Sequence, residues 1–347
     1  MNKLIRHTQI AEKIILIDGI SGSGKSVLLP VLSSFRNTEK GRMEHIYEYL
    51  SILHSLKKID TDAAIYMMRI YADLAIYNQM ISREVNLRIH DDSGLLNNPK
   101  PLEYIARLFY KDGETVLKRI KKYSPILNIM THQILPNIDL AFQSFGQRLK
   151  VVVMVRHPLY MIDHWINYIE RYGTDPREFS IWLDCDGKKI PWFAYGWEEK
   201  YLASNSTDKS IMSIAWLIRK SYEAYDKLSS NQKDQVIIIP FERFVIEPGP
   251  YINALEHLLD TKITSKTMKV LKRQRCPRAT LSAGRGHKNY GWKKAKQNND
   301  DLSDFNQRKS SINIKANMES INILTALSRE YEEKYQLKSQ SPWCFFT

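Results

Sequence analysis

The chain has 347 residues, 43% of them hydrophobic and 26% charged, a soluble composition able to bury a substantial core and unlike that of a disordered or collagenous chain. A net charge of +13 favours encounters with anions, whether nucleotides, nucleic acid, acidic glycans or a membrane surface, without choosing among them. Three scattered cysteines, Cys185, Cys276 and Cys344, exclude a disulfide scaffold and a cysteine metal site, so a reducing, cytoplasmic compartment is expected.

Ile14 to Ile17 reads as a short strand, ended by Asp18 and a glycine-rich turn, Gly19-Ile20-Ser21-Gly22-Ser23-Gly24-Lys25-Ser26. Residues before it run straight into this motif and are not read as a signal peptide. A helix is expected from Lys25, with Pro30 one turn in. Glu44 to Leu56 and Asp62 to Met80 have apolar residues at three-and-four spacing and predict helices. Pro101 to Lys121 predicts another, interrupted at Asp112-Gly113. These helices form an expected insertion near 40–121. Asn86 to Ile89 reads as a short extended segment before Asp91 and Asp92.

Strands are expected at Ile126 to Met130, leading to Thr131-His132, at Val151 to Val155, leading to Arg156-His157-Pro158, and at Gln235 to Ile239. Between the last two lie an aromatic helix from Tyr160 to Tyr172, a less regular aromatic stretch from Trp182 to Trp197 read as a substrate-side loop, and a helix from Ser210 to Leu228. Asn298 to Lys315 is polar and expected to be loosely held, and Glu319 to Leu337 reads as a terminal helix. No apolar run reaches transmembrane length. The alternation predicts an α/β, P-loop NTPase-like three-layer fold with a mostly parallel central sheet and helical insertions.

The turn is the strongest chemical signal. Glycines let the backbone approach an anion closely, the amides of Gly22 to Ser26 can point inward around phosphate oxygens, and the following helix N-terminus adds its dipole. Lys25 suits a phosphate contact, and Ser26 a hydrogen bond or a magnesium ion. A standard kinase also needs an acidic residue after a second strand. Neither later strand supplies one, which leaves Asp91 and Asp92 as substitutes, or as a solvated turn.

In that order, the turn, Thr131-His132, Val151 to Pro158 and Ile237 to Val245 with Glu247-Pro248 resemble the sulfotransferase family, and Arg285 to Lys293 is similar to its C-terminal basic glycine loop. The resemblance spans most of the chain. It implies transfer of a sulfuryl group from PAPS (3′-phosphoadenosine 5′-phosphosulfate) to a hydroxyl or amine, with PAP as product and no metal required. It implies that Ser21, Gly22, Ser23, Gly24, Lys25 and Ser26 hold the phosphosulfate, that Arg156 contacts the 3′-phosphate, and that Arg285, Gly286 and Lys288 close over it. His164 stands where the family usually has a phosphate-binding serine. By the same resemblance His132 is the general base, Lys25 stabilises the departing charge, and Glu242 does structural work. Residues 1–297 would form the transferase unit, with 298–347 packing on it.

Two other readings stay open: an ATP- or GTP-dependent kinase or NTPase using magnesium, and a non-catalytic nucleotide- or polyanion-binding module built on the basic tract from Lys269 to Lys296. That tract is equally well explained as a solvated face. No sequence-specific nucleic-acid motif is present. The acceptor, whether a small molecule, glycan or lipid, and the oligomeric state are not encoded in any motif.

Overall fold

A computed structural model of the chain describes residues 3–89, 94–281 and 300–335. Its framework is a five-stranded sheet made of β1 (Lys13–Asp18), β2 (Arg42–Met43), β3 (Ile126–Met130), β4 (Leu149–Val155) and, beyond a hairpin, β7 (Val236–Pro240). The spatial order is β2-β3-β1-β4-β7, and every neighbouring pair is parallel. The hairpin pairs β5 (Trp182–Cys185) with β6 (Lys188–Pro191) in antiparallel fashion.

Side-chain alternation builds the three layers. On β1, Ile15 and Ile17 point to one face and join Val152, Met154 and Ile239 against the helices Lys25–Ser33, Ile162–Ile169 and Ser206–Asp226. Ile14 and Leu16 point to the other and join Leu127, Ile129, Val151 and Val153 against Thr61–Met80, Glu114–Tyr123 and Asp139–Phe145. A sheet covered on both faces buries most positions of its central strands, which explains the near-continuous apolar runs of β1 and β4.

Topology places the site. From β1 the chain moves outward to β2 and β3, then crosses back over to β4 on the other side. The carboxyl end of β1 is therefore the point where the strand order reverses, the position at which open parallel sheets leave a crevice for ligands. Register aligns the neighbouring ends, with Ile17 opposite Met130, Asp18 opposite Val153 and Val155 opposite Pro240. The turn after β1, Thr131-His132, Arg156 and Phe241 thus emerge along one edge of the sheet.

Pro101 to Lys121 is interrupted at the expected place, giving two helices, Pro101–Arg107 and Glu114–Tyr123, that part around Gly113. The first is tied down by polar groups: Arg107 grips both oxygens of Glu39 at 2.6 and 2.9 Å, and Tyr104 donates to the same carboxylate at 2.5 Å. Asn86 to Ile89 forms no strand, and Asp91 and Asp92 lie outside the described residues. Trp182 to Trp197 contains the hairpin, because Asp186-Gly187 provides two successive positive-φ residues for its turn. The stretch expected to be loosely held, 298–315, contains the helix Asp301–Lys315, capped by Asp300 and docked through Phe305 and Ile312. Its overall polarity had hidden that narrow apolar stripe, and Arg308 adds an ion pair to Asp163 at 2.7 Å.

The helix Met318–Lys334 closes the molecule onto the end of β4. His157 N–H donates to Glu242 Oε1 at 3.1 Å, the other Glu242 oxygen accepts from the Tyr331 hydroxyl at 2.6 Å, and His157 Nε2 meets Glu332 Oε1 at 3.1 Å. All four residues are buried. Tyr331→Phe leaves a buried Glu242 oxygen without its hydroxyl donor, so urea unfolding should show a loss of about 1–3 kcal/mol; an unchanged midpoint would mean that this contact does not hold the helix. Among the described residues, no helix is long and apolar enough to cross a membrane.

Candidate functional site

The turn after β1 has the backbone shape of an anion cradle. Gly19 has φ +140°, and a Cβ on it would lie 2.1 Å from the carbonyl oxygen of Met154 on β4. Gly24 has φ +99°, and a Cβ there would lie 2.3 Å from the Phe241 ring. Both positions require glycine, for conformation and for space. Gly24 also precedes the helix Lys25–Ser33 without any side-chain cap. Among the described residues, the amides of Gly22, Gly24 and Lys25 have no acceptor, whereas the Ser23 amide, expected to face the ligand, is spent inside the turn on Ile20 O at 2.9 Å. Ser23 Oγ is buried without a partner. Ser26, the second residue of that helix, has an exposed side chain.

Lys25 folds back into the turn. Its ammonium donates to the carbonyls of Gly19, Ile20 and His132, the last at 2.9 Å. Burial lowers its pKa to about 8, against the opposing pull of Asp18 and Glu48.

Arg156 and His164 flank the turn. Arg156 donates to Gly22 O at 3.0 Å, its guanidinium carbon lies 4.5 Å from the Phe241 ring centre, and its buried Nε has no partner. Burial and the neighbouring Arg308 and Arg278 disfavour its charge, while Glu242 favours it. Arg278 stands 5.5 Å from the same ring and also has a buried, unpartnered Nε. His164 Nε2 meets Ser21 Oγ at 3.0 Å, and Trp165 Nε1 donates to Ser21 O at 2.9 Å. Residues more than 130 positions apart in the chain therefore clamp the same turn.

His132 is presented by a turn that Asp18 organises. The buried Asp18 carboxylate accepts from Thr131 Oγ1 at 2.8 Å and from the amides of Ile134 and Leu135 at 2.9 and 2.8 Å. The His132 amide donates to Glu48 Oε2 at 2.9 Å, and Nδ1 lies 3.7 Å from that oxygen. Its imidazole keeps 27% exposure, and its pKa is well below the usual histidine value, through desolvation and then through Lys25, His45 and His164. Burial raises Glu48 in the opposite direction, to about 7. The His45 ring lies 5.0 Å from that of His132 and 6.4 Å from Phe179.

The structure thus gathers Ser21 to Ser26, Arg156, His164 and His132 around one turn. Arg285, Gly286 and Lys288 lie outside the described residues. Glu48, His45 and Asp18 went unread as site residues. Asp18 had a usable signal, a lone acid closing an apolar strand just before the glycines. Glu48 had none, being one polar residue in an ordinary amphipathic helix. A cavity of about 470 Å³ lies beside the hairpin, lined by Gly173, Asp175, Glu178, Trp182 and Lys189 among others and by no residue of the turn. The segment lining it reaches the His132 side through Phe179, whose carbonyl accepts from Tyr49.

No group of three or more His, Cys, Asp or Glu suited to a metal ion occurs among the described residues. No protein-family model matches the chain, and no curated protein matches it. Among solved structures, the chain is similar to the "Sulfotransferase Domain from the Curacin Biosynthetic Pathway", at 12% identity and TM-score 0.40, over 74% of this chain and 77% of that one. It is also similar to the "Sulfotransferase Domain from the Synechococcus PCC 7002 Olefin Synthase", at 10% identity and TM-score 0.39, over 78% and 81%. A third is the sulfotransferase from Alicyclobacillus acidocaldarius, at 10% identity and TM-score 0.38, over 92% and 96%. Likeness this faint leaves the functional reading to the residues of the site.

Proposed function

We propose that the chain transfers a sulfuryl group from PAPS to a hydroxyl or amine acceptor and releases PAP. The observation that carries this reading is Arg156: a half-buried arginine whose buried Nε has no partner, held on Phe241 and against Gly22 O. A turn that gripped only a 5′-phosphate chain has no evident use for a second anion receptor at the end of the adjacent strand. A donor with a separate 3′-phosphate does, and a guanidinium suits it through its rigid fork of donors.

The residues fit such a donor. The open amides of Gly22, Gly24 and Lys25 and the unpartnered Ser23 Oγ would hold its phosphosulfate end, Arg156 and His164 its 3′-phosphate. PAPS supplies an activated sulfuryl group. His132, kept neutral by burial and by its cationic neighbours, takes the proton of the acceptor O–H or N–H as the new bond to sulfur forms and the bond from sulfur to the phosphate oxygen breaks. Lys25 offsets the charge left on that oxygen. The acceptor would approach past His45 and Phe179. Residues 1–297 would make up the transferase unit, with 298–347 docked on it through Tyr331 and Glu332.

Titration with PAP in EDTA, set beside ATP plus magnesium, tests the reading: PAP should bind without metal. Selective binding of magnesium-ATP would overturn it in favour of a kinase or NTPase, the reading that Gly24-Lys25-Ser26 also permits; binding of neither would leave the polyanion-binding module. Arg156→Ala should weaken PAP by roughly 30- to 100-fold while changing the affinity for adenosine 5′-phosphosulfate, which lacks the 3′-phosphate, by no more than about threefold. Equal losses for both ligands would remove Arg156 from the 3′-phosphate.

A further inference from the structure

Glu48 is a carboxylate buried where an apolar residue would pack at less cost. It lies on the helix His45–Ser55, directly after β2, with its side chain only 6% exposed and no arginine or lysine within ion-pair distance among the described residues. A buried charge without such a partner is expensive and persists where its neighbours need it. Those neighbours are the two halves of the reaction centre. One Glu48 oxygen accepts the His132 amide at 2.9 Å and stands 3.7 Å from His132 Nδ1, while the carbonyl of that residue is held by the Lys25 ammonium at 2.9 Å.

The charges around His132 make this contact directional. From the turn Lys25, from the helix of Glu48 His45, and from the helix Ile162–Ile169 His164 all oppose a proton on the His132 ring. Asp18, the other acid nearby, spends its oxygens on Thr131, Ile134 and Leu135. Glu48 is thus the anion facing the imidazole. A ring that takes a proton in these surroundings needs a negative partner on the side away from the acceptor. A carboxylate beside one ring nitrogen also selects the tautomer in which that nitrogen carries the hydrogen.

We infer that Glu48 is the positioning residue of the His132 base, holding its peptide and facing Nδ1 so that Nδ1 carries the hydrogen and Nε2 is left to accept the acceptor's proton. The role rests on the transfer reaction proposed above and adds to it a carboxylate that the reaction itself does not name. Glu48 touches neither donor nor acceptor in this arrangement and acts only through His132 and, by charge, on Lys25.

Glu48→Gln separates hydrogen bond from charge, since the amide oxygen can still accept from the His132 amide. Burial holds the Glu48 pKa near 7, above its ordinary value of 4.5, so at pH 8 the native state bears the cost of an ionised buried acid and the variant should be no less stable there. The experiment is long-range 1H–15N spectroscopy of the full chain labelled at histidine, at pH 8, with and without PAP, alongside PAP titration of both proteins. His132 of the wild type should carry its hydrogen on Nδ1; in Glu48→Gln the ring should shift toward the Nε2–H form, with PAP affinity changed by less than about threefold. A wild-type ring with its hydrogen on Nε2, or a tautomer unmoved by the substitution, overturns the assignment. Should the variant fail to fold, the wild-type spectrum alone still decides it. Absence of PAP binding by the wild type would sink the transfer reading instead, and the two failures are read from separate signals.

Discussion

Gly19→Ala is expected to cost about 3–5 kcal/mol of stability, enough to unfold a large part of a typical domain's margin, and to abolish PAP binding in whatever remains folded. The added methyl would stand 2.1 Å from the Met154 carbonyl oxygen and 2.8 Å from Ser23 Oγ, at φ +140°. Met154 belongs to β4 and cannot give way, because β4 is held on both sides by β1 and β7. Relief must come from the turn, which would swing its amides out of the cradle. Gly113→Ala is the control: its backbone, at φ +67° and ψ −137°, is strained for alanine but nothing lies within 4 Å of the new Cβ, so only the backbone term remains, about 1–3 kcal/mol. Urea unfolding of the two variants measures the contrast, and equal costs would show that the close approach of β1 and β4 at Gly19 is not as described.

Lys25→Met should lower PAP affinity by roughly 100-fold while leaving stability at pH 7 nearly intact. Burial, opposed by Asp18 and Glu48, brings the ammonium from 10.5 to about 8, a net bias of roughly 3 kcal/mol against the charged form, while its contacts to Gly19, Ile20 and His132 fix where it sits. The sign follows from proton counting. Between pH 8 and 10.5 the unfolded chain holds a proton that the native chain has released, so the Lys25 contribution to stability rises with pH over that window. Wild type should gain on Lys25→Met between pH 8 and pH 10, and its PAP affinity should fall above pH 8 as the free lysine loses its charge. A parallel pH response in the two proteins would mean that Lys25 is not the group being titrated.

Much of the scaffold was readable along the chain because its signals are local. The runs of β1 and β4 are apolar because both sheet faces are covered, and Gly19 to Ser26 is a contiguous motif with one backbone solution. Elements with few apolar residues were harder: Asp301–Lys315 docks through a stripe of Phe305 and Ile312 that its polar composition conceals, and the two-residue strand β2 has no period to detect. Pro101–Arg107 is held from its inner face by Glu39, 68 residues from Arg107, a pairing that no local pattern could announce.

By itself the amino-acid sequence determined the alternation of strands and helices and the phosphate-type turn with Lys25, since these follow from residue type and near neighbours, whereas His132, Arg156 and His164 became candidates only through the family resemblance. Tertiary structure alone decided that these groups converge, because the reversal of strand order at β1 brings the ends of β3, β4 and β7 beside the turn. It also decided the charge states. A pKa is set by burial and by nearby charges, and while Asp18 acts on Lys25 from the same strand–turn unit, the groups acting on His132 and the contact of Glu48 with His132 come from distant parts of the chain.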